Sequence, residues 1–199
     1  RKESSAASDV YKRQSLFSEK KYDLISMQSK WKDMLISNGN FDLDSGIINK
    51  YNVFKRVISY TIFVKRSIIR DIFFDENLGV GAKSIFQSGE ESDFVLRILS
   101  KKVNTFYSNK LFIFHPHSTS IFNELKLRTE KYVPGKSYVL RKNNFPKWYI
   151  YSFIILPLLK IPLSMLRLRK NDVILNFVSF IHRMKGYVKS KKYQRFNVQ

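Results

Sequence analysis

Apolar and polar positions follow two different periods in the first half of the chain. Runs rich in β-branched and aromatic residues predict strands at residues 22–27 and 57–64. Residues 90–101 instead have a helical spacing, because four apolar side chains fall on one face of a helix: Phe94, Val95, Ile98 and Leu99. Ser88, with Glu91 three residues later, predicts a capping box at the start of this helix.

The segments on either side of this helix complete the pattern. Residues 103–107 and 110–114 predict two strands joined at Ser108 and Asn109. Residues 73–89 show no sustained period and predict a loop that contains glycine. The polar residues of this region therefore fall on a loop, at a helix start and at a strand end.

The last third of the chain predicts helices. Residues 125–140 have a helical pattern that we expect to be interrupted near Pro134 and Gly135, because proline removes a backbone donor inside a helix. Residues 173–188 predict a second, amphipathic helix, which a basic tail follows.

Residues 148–166 form the most apolar run, but Pro157, Lys160 and Pro162 lie inside it. We predict a helix that lies on a membrane surface and is broken at Pro157 or Pro162. A buried helix and a transmembrane span are the alternatives, and a span normally needs about 20 apolar residues without such interruptions.

The composition indicates a folded protein with a basic surface. Of the 199 residues, 44% are hydrophobic and 15% aromatic, which excludes an intrinsically disordered chain. The chain has no cysteine, so a disulfide framework, a thiolate metal site and a cysteine nucleophile are excluded. The formal charge of +20 has three possible explanations. The protein binds a nucleic acid, it binds an anionic membrane surface, or the charge only reflects the lysine-rich composition of proteins from low-GC genes. Because the basic residues become denser beside the apolar run, we favour a membrane surface over nucleic acid.

The first residues differ in character from the rest. Residues 9–14 resemble a translated transposon end of the kind used in sequencing libraries, and the chain does not begin with methionine. We therefore expect residues 1–14 to be a non-native scar and the remainder to be the C-terminal part of a longer protein.

Two groups of residues near the predicted helix start are candidates for ligand binding or catalysis. Gly79 and Gly81 allow a backbone to approach a ligand closely, although by themselves they are better explained by a plain turn. Glu90, Glu91 and Asp93 lie in the first helical turn. Acids there either complement the helix dipole or supply a general base.

A pair of histidines follows the apolar strand. His115 and His117 emerge where we expect that strand to end. A neutral imidazole at such a position either ligates a divalent metal or has a structural role.

Taken together, these groups resemble a known family. Residues 73–99 have the sequence FFDENLGVGAKSIFQSGEESDFVLRIL, and residues 112–117 have FIFHPH. The combination resembles the C-terminal half of bacterial family 2 glycosyltransferases with the GT-A fold, especially those that build capsule, exopolysaccharide or O-antigen. The shared pattern is an FDE run, a glycine loop, an acidic pair followed by an acid and an arginine, and a late histidine.

The resemblance implies a role for each matching residue. Glu91 corresponds to the second acid of the pair, which is the catalytic base of the family, and Glu90 and Asp93 are the neighbouring catalytic candidates. His115 corresponds to the late histidine, which ligates the metal in many members. Substrate contacts are implied for four residues: Asp75, Gly79, Gly81 and Arg97.

The resemblance also implies the fold, the reaction and the setting. We expect an α/β protein, the C-terminal portion of a GT-A fold, in which an incomplete mixed sheet is followed by amphipathic helices. Residues 15–145 would form the catalytic part, and residues 146–199 a basic helical extension that associates with a membrane. The complete enzyme would use Mg or Mn and invert a sugar as it passes from a nucleotide-sugar donor to a glycan or lipid-linked acceptor. It would work at the inner face of the plasma membrane in surface polysaccharide synthesis.

The chain departs from the family pattern in three ways. Glu91 replaces the commoner aspartate at the base position, which leaves Asp93 as an alternative base. Asp42-Leu43-Asp44 has the letters of the D-x-D motif of the missing nucleotide-binding half, but no apolar strand precedes it, so we interpret it as a coincidental match. The Q-x-x-R-W motif of processive members is absent, which favours transfer of a single sugar.

Two other interpretations of the sequence remain open. The charge alone fits a non-enzymatic basic protein that binds a membrane or nucleic acid. The sequence is also compatible with a degenerate glycosyltransferase-like module that has no activity of its own and serves as a partner subunit.

Overall fold

The structure is a computed structural model that describes residues 22–37, 39–117 and 121–194. The predicted scar at residues 1–14 lies outside the described residues. The elements follow one another as β1 (Leu24–Lys30), α1 (Val53–Arg56), a 3₁₀ turn (Ser59–Thr61), β2 (Ile62–Val64), α2 (Glu90–Leu99), β3 (Thr105–Phe114), α3 (Phe122–Lys142), α4 (Lys147–Leu166) and α5 (Lys170–Gln194).

A three-stranded mixed sheet forms around β1, in the order β2-β1-β3. β1 pairs antiparallel with β2 and parallel with β3. Because β1 is central, its side chains are buried on both faces, and Leu24, Ile25 and Met27 are fully buried. The predicted α/β class is therefore confirmed, whereas the assignment to a GT-A fold stays a prediction.

β3 is one strand where the sequence predicted two. Its register against β1 runs from Leu24↔Thr105 to Met27↔Ser108 and then resumes at Gln28↔Phe112. The residues between these positions form a bulge, which the Ser108 hydroxyl helps to shape by accepting the N–H groups of residues 110 and 111. The polar pair at 108–109 therefore marks an irregularity within a strand and not a turn between strands.

The predicted strand at residues 57–64 is mostly not a strand. Only Ile62–Val64 pairs with β1, and Ser59–Thr61 forms a 3₁₀ turn. The Thr61 hydroxyl donates to the Ile58 carbonyl oxygen at 2.8 Å and accepts the Ile58 N–H at 3.2 Å. These local bonds compete with strand pairing and explain the shorter β2.

The described chain packs as two units. One contains the described residues up to Phe73 and those from Phe94 to His117, and so holds the sheet, α1 and most of α2. The other contains Phe74–Asp93 and the described residues from Ile121 onward, and so holds the loop before α2, its first turn and α3 to α5. The domain boundaries predicted from the sequence stay predictions.

In the second unit, α3 continues through Pro134 and Gly135, so the predicted interruption was wrong. Both residues lie at close approaches. A Cβ atom on Gly135 would overlap the Ser88 carbonyl oxygen, and one on Gly186 of α5 would lie 2.7 Å from Pro134 Cα. Packing against the loop and against α5 therefore holds α3 helical where the local sequence favours a break.

α4 is likewise continuous through Pro157 and Pro162, so the predicted break was also wrong. Because Pro157 has no N–H, the Phe153 carbonyl oxygen one turn earlier loses its helical donor. Arg183 on α5 donates from Nη1 to this oxygen, and its Cζ lies 4.0 Å from the centroid of the Phe153 ring. The arginine replaces the missing backbone donor, which explains how the helix continues.

Among the described residues, α4 is the one helix long and apolar enough to cross a membrane. Only 22% of its apolar stretch is buried, which argues against the alternative of a buried helix. A helix of this length and composition fits a position on a membrane as well as a span across it, so both stay predictions.

Candidate functional site

The first turn of α2 holds three acids: Glu90, Glu91 and Asp93. The chain enters this helix through Gly89, whose φ of +92° is in the region that favours glycine. The Gly89 carbonyl oxygen accepts the Asp93 N–H at 2.9 Å. Ser88 was predicted to cap the helix, but its hydroxyl donates to the Tyr132 carbonyl oxygen at 2.6 Å. Ser88 therefore ties the start of α2 to α3.

Glu91 has a carboxyl group that ionises near neutral pH. Burial, and after it the negative charge of Glu90, raise the pKa of Glu91 to about 7. The adjacent Glu90 side chain also favours the protonated form of Glu91, whereas a hydrogen bond from the backbone acts the other way. Glu91 therefore has a proton available for exchange near pH 7.

Glu90 is enclosed by the glycine loop. A Cβ atom on Gly79 would lie 3.0 Å from Glu90 Cδ and 3.2 Å from Oε1, and Gly79 has a φ of +98°. The position thus requires glycine for both space and backbone conformation. Glu90 Oε2 is buried and has no hydrogen-bond partner among the described residues. An orphaned acceptor of this kind costs about 1–3 kcal/mol, which a donor hydroxyl at the acid pair would relieve.

The rest of the glycine loop is held by one glutamine. Gln87 Oε1 accepts the Gly81 N–H at 3.0 Å, and its Nε2 donates at 2.7 Å to the carbonyl oxygens of Ala82 and Ser84. Gly81 has a φ of +90°, and a Cβ atom there would meet nothing within 4 Å. Gly81 therefore lies at the open edge of the loop, whereas Gly79 lies against the acids.

A buried ion cluster joins two of the predicted site residues. Lys142 Nζ, at the end of α3, donates to Asp75 Oδ2 at 2.7 Å and to Asp93 Oδ2 at 2.9 Å. The side chains of Asp93, Asp75 and Lys142 are 0%, 8% and 18% exposed. One half-buried lysine thus neutralises two carboxylates, and the sequence analysis did not identify it.

Two further side chains donate hydrogen bonds to the aspartates of the cluster. Asn143 Nδ2 donates to Asp93 Oδ1 at 2.9 Å, and Tyr138 donates to Asp75 Oδ2 at 3.0 Å. Burial alone would raise the pKa of Asp75, but hydrogen bonds from Lys142 and the Asn77 backbone N–H outweigh it, and the pKa lies below its usual value. Both aspartates therefore hold the loop, α2 and α3 together.

His115 and His117 lie in the other unit, at the end of β3. The His115 ring stacks on Tyr60 with centroids 4.6 Å apart, and its Nδ1 lies 2.8 Å from the Pro116 carbonyl oxygen. When Nδ1 donates to that oxygen, the lone pair of the ring is on Nε2. His117 Nε2 lies 2.8 Å from Asp33 Oδ2, which gives this second histidine a structural explanation.

The described residues do not by themselves form a metal site. Within the described ranges, no three side chains of the histidine, aspartate or glutamate type come together to hold a metal. His115 supplies one ligand at most, so these residues do not fit a divalent cation by themselves. Asp42, of the D-x-D match, receives Arg56 Nε at 2.7 Å. This ion pair agrees with the interpretation of Asp42-Leu43-Asp44 as coincidental.

Arg97 was predicted to contact substrate, and it donates from Nη2 to the Phe73 carbonyl oxygen at 2.6 Å. Arg97 and His115 belong to the first unit. The second unit brings together the other predicted residues: Asp75, Gly79, Gly81, Glu90, Glu91 and Asp93. Comparisons of the chain with protein-family models, curated proteins and solved structures gave no match.

Proposed function

We propose that this chain supplies the acceptor-side half of an inverting glycosyltransferase that uses a nucleotide-sugar donor. The observation that carries the proposal is the carboxyl pair of Glu90 and Glu91 beneath Gly79, in which burial raises the pKa of Glu91 to about 7. The sequence resemblance assigns catalysis to the same pair, and the geometry supports this assignment independently of the motif.

Glu91 is the better base of the two candidates. Asp93 is fully buried, and both of its oxygens accept hydrogen bonds, from Lys142 and Asn143. Because both oxygens already accept hydrogen bonds inside the cluster, Asp93 is poorly placed to contact an acceptor hydroxyl. Glu91 keeps some exposure to solvent and binds a proton near neutral pH, as a general base requires.

The proposed step is a single displacement. Ionised Glu91 accepts the proton of an acceptor hydroxyl while the hydroxyl oxygen forms a bond to the anomeric carbon. The bond from that carbon to the diphosphate breaks at the same time, and the electron pair leaves with the nucleoside diphosphate. Attack opposite the leaving group inverts the anomeric centre.

In the complete enzyme, Mg or Mn would supply charge neutralisation for the departing diphosphate. His115 would offer one nitrogen ligand, and the other ligands would come from outside the described residues. The base step that we assign to Glu91 does not depend on this contribution.

We place the enzyme at the inner face of the plasma membrane, acting on a glycan or lipid-linked acceptor for surface polysaccharide. The exposed apolar stretch of α4 and the net charge of +20 support a membrane location. The same features support the rival function, a basic membrane-associated protein without catalysis. Only the acid pair distinguishes the two.

The test uses the protein in which this chain is joined to its donor-binding half. Release of nucleoside diphosphate from a panel of nucleotide sugars is measured with membrane extract as the acceptor source. Glu91→Gln should lower turnover by at least about a hundredfold, the usual loss when a general base is removed. Glu124→Gln is the matched control, because Glu124 is an exposed acid in the first turn of α3. Equal turnover in both variants would favour the non-catalytic rival.

A further inference from the structure

The turn between α4 and α5 contains an open groove of about 460 Å³ with a mainly basic lining. Its charged lining side chains are three cations and one anion: Lys160, Arg167, Arg169 and Asp172. Arg169 Nη1 lies 3.7 Å from Asp172 Oδ2, whereas Lys160 and Arg167 form no ion pair with any described residue. The groove therefore has an excess of positive charge that is suited to an anion.

The chemistry of the lining indicates which anion. Guanidinium groups bind phosphate oxygens in pairs, and an ammonium group adds a point charge. Ser164 and Asn176 also line the groove, but the Ser164 hydroxyl donates to the Lys160 carbonyl oxygen at 3.1 Å and accepts from Asn176 Nδ2 at 3.4 Å, so the cations are the groups suited to the anion. A phosphate group is the ligand that matches this set.

The rim of the groove is apolar where a turn in water is usually polar. Leu166 and Leu168 are 83% and 88% exposed, and Arg167 and Arg169 lie next to them in the chain. Leu168 has a φ of +54°, a conformation that glycine or asparagine usually adopts at a helix end. A leucine in this conformation destabilises the turn, and its side chain is exposed. Contact with an apolar phase would explain why an apolar residue is found at this exposed position.

We propose that the α4–α5 turn docks on an anionic phospholipid bilayer. Leu166 and Leu168 enter the boundary of the acyl chains, and the groove receives a headgroup phosphate through Arg167, Arg169 and Lys160. The charge of +20 is complementary to such a surface. The exposed leucines distinguish it from a nucleic acid, whose phosphates have no apolar layer beneath them. This inference rests on the membrane location in the proposed function and not on the sugar transfer.

The test measures co-sedimentation of the full chain with vesicles of phosphatidylcholine alone or mixed with phosphatidylglycerol. We expect binding to the mixed vesicles and little to phosphatidylcholine. The double variant Arg167→Gln, Arg169→Gln should lower the partition coefficient about 30-fold. Each basic residue near the membrane surface raises this coefficient roughly five- to sixfold, and the two effects multiply. The matched control is Lys185→Gln, Lys189→Gln, which removes the same charge from exposed positions of α5 and should change binding about threefold or less.

A second measurement reports on the leucine tip directly. Leu168→Trp should show a blue shift of its fluorescence, as a difference from the parent protein, when mixed vesicles are added. Leu168→Ser should weaken binding without a change of charge. The proposal is overturned when the tryptophan shows no shift, or when the two double variants lose equal affinity. It is also overturned when inorganic phosphate stabilises the parent protein against heat through the two arginines while vesicles do not bind.

These outcomes are separable from the proposed reaction. Glu91→Gln should bind vesicles like the parent protein, because Glu91 is far from the α4–α5 turn in the sequence and does not line the groove. Vesicle binding without transferase activity would leave this inference standing and contradict only the reaction.

Discussion

The backbone of Gly79 lies against the side chain of Glu90, so closely that an added Cβ atom would be 3.0 Å from Glu90 Cδ. The loop and the acid pair therefore share one packed arrangement. Burial is the largest cause of the raised pKa of Glu91, and this contact contributes to the enclosure of its partner acid. The glycine loop thus contributes to the burial that raises the pKa of Glu91.

This contact leads to a prediction with a built-in control. Gly79→Ala should displace the Glu90 carboxyl group, admit water and lower the pKa of Glu91 toward its usual value. Gly81→Ala should leave that pKa unchanged, because its Cβ atom meets nothing within 4 Å. Both variants should lose about 1–2 kcal/mol of stability through their positive φ. The same NMR titration of glutamate carboxyl carbons in both proteins checks this, and identical titrations would contradict it.

Stability should depend on pH through Glu91. Its pKa is about 7 in the folded chain, against 4.5 for a glutamate side chain in water. Between these values the folded chain holds a proton that the unfolded chain has released, so stability falls as pH rises. The contribution is fully present below about pH 4.5 and lost above about pH 7, and it amounts to something on the order of 3 kcal/mol.

Glu91→Gln removes this dependence because glutamine does not titrate. The stability of the variant relative to the parent protein should therefore increase between pH 4.5 and 8, which urea unfolding at a series of pH values measures. The lowered pKa of Asp75 acts in the opposite sense, losing stability as pH falls into the acid range, but both proteins share it and it cancels in the difference. A constant difference across the range would contradict the raised pKa.

Lys142 should be essential for stability. Lys142→Met leaves the fully buried Asp93 carboxylate without its cation, which typically costs about 3–5 kcal/mol. Lys126→Met on the same helix breaks only an exposed pair with Glu130 at 4.0 Å and should cost under about 1 kcal/mol. Urea unfolding midpoints compare the two. A similar small loss in both would show that the cluster is not a stabilising centre.

The continuity of α4 should depend on Arg183. Arg183→Met removes the donor to the Phe153 carbonyl oxygen, and Pro157→Ala restores the backbone donor that proline lacks. The arginine substitution should therefore cost about 1 kcal/mol less in the Pro157→Ala protein than in the parent. A double-mutant cycle by thermal unfolding measures this coupling, and additive effects would argue against the replacement of donors.

Local patterns predicted the elements whose determinants are close in sequence. The loop at residues 73–89 and the helix with Phe94 and Ile98 on its buried face were confirmed, because glycine positions and helical spacing are local signals. The mixed sheet around β1 also agreed with the predicted α/β class. The irregularities inside β3 and before β2 depend on hydrogen bonds made by the hydroxyl groups of Ser108 and Thr61. The spacing of apolar residues contains no information about such bonds.

The parts that sequence reasoning missed depend on long-range contacts. Lys142 is 67 and 49 residues from its two aspartate partners, and nothing in its neighbourhood marks it as buried. The proline rule failed at Pro157 because its compensating donor lies on another helix. The raised pKa of Glu91 could likewise not be predicted from the sequence, because acids at a helix start are usually solvated.

The central claim is that Glu91 binds and releases a proton near neutral pH. Its most direct test is a carbon-detected NMR titration of the glutamate side chains in this chain, with Glu91→Gln to assign the signal. We predict one carboxyl group with a pKa of about 7 that disappears in the variant. If every glutamate instead titrates near its ordinary value of about 4.3, Glu91 has no special acidity and the assignment of a general base is contradicted.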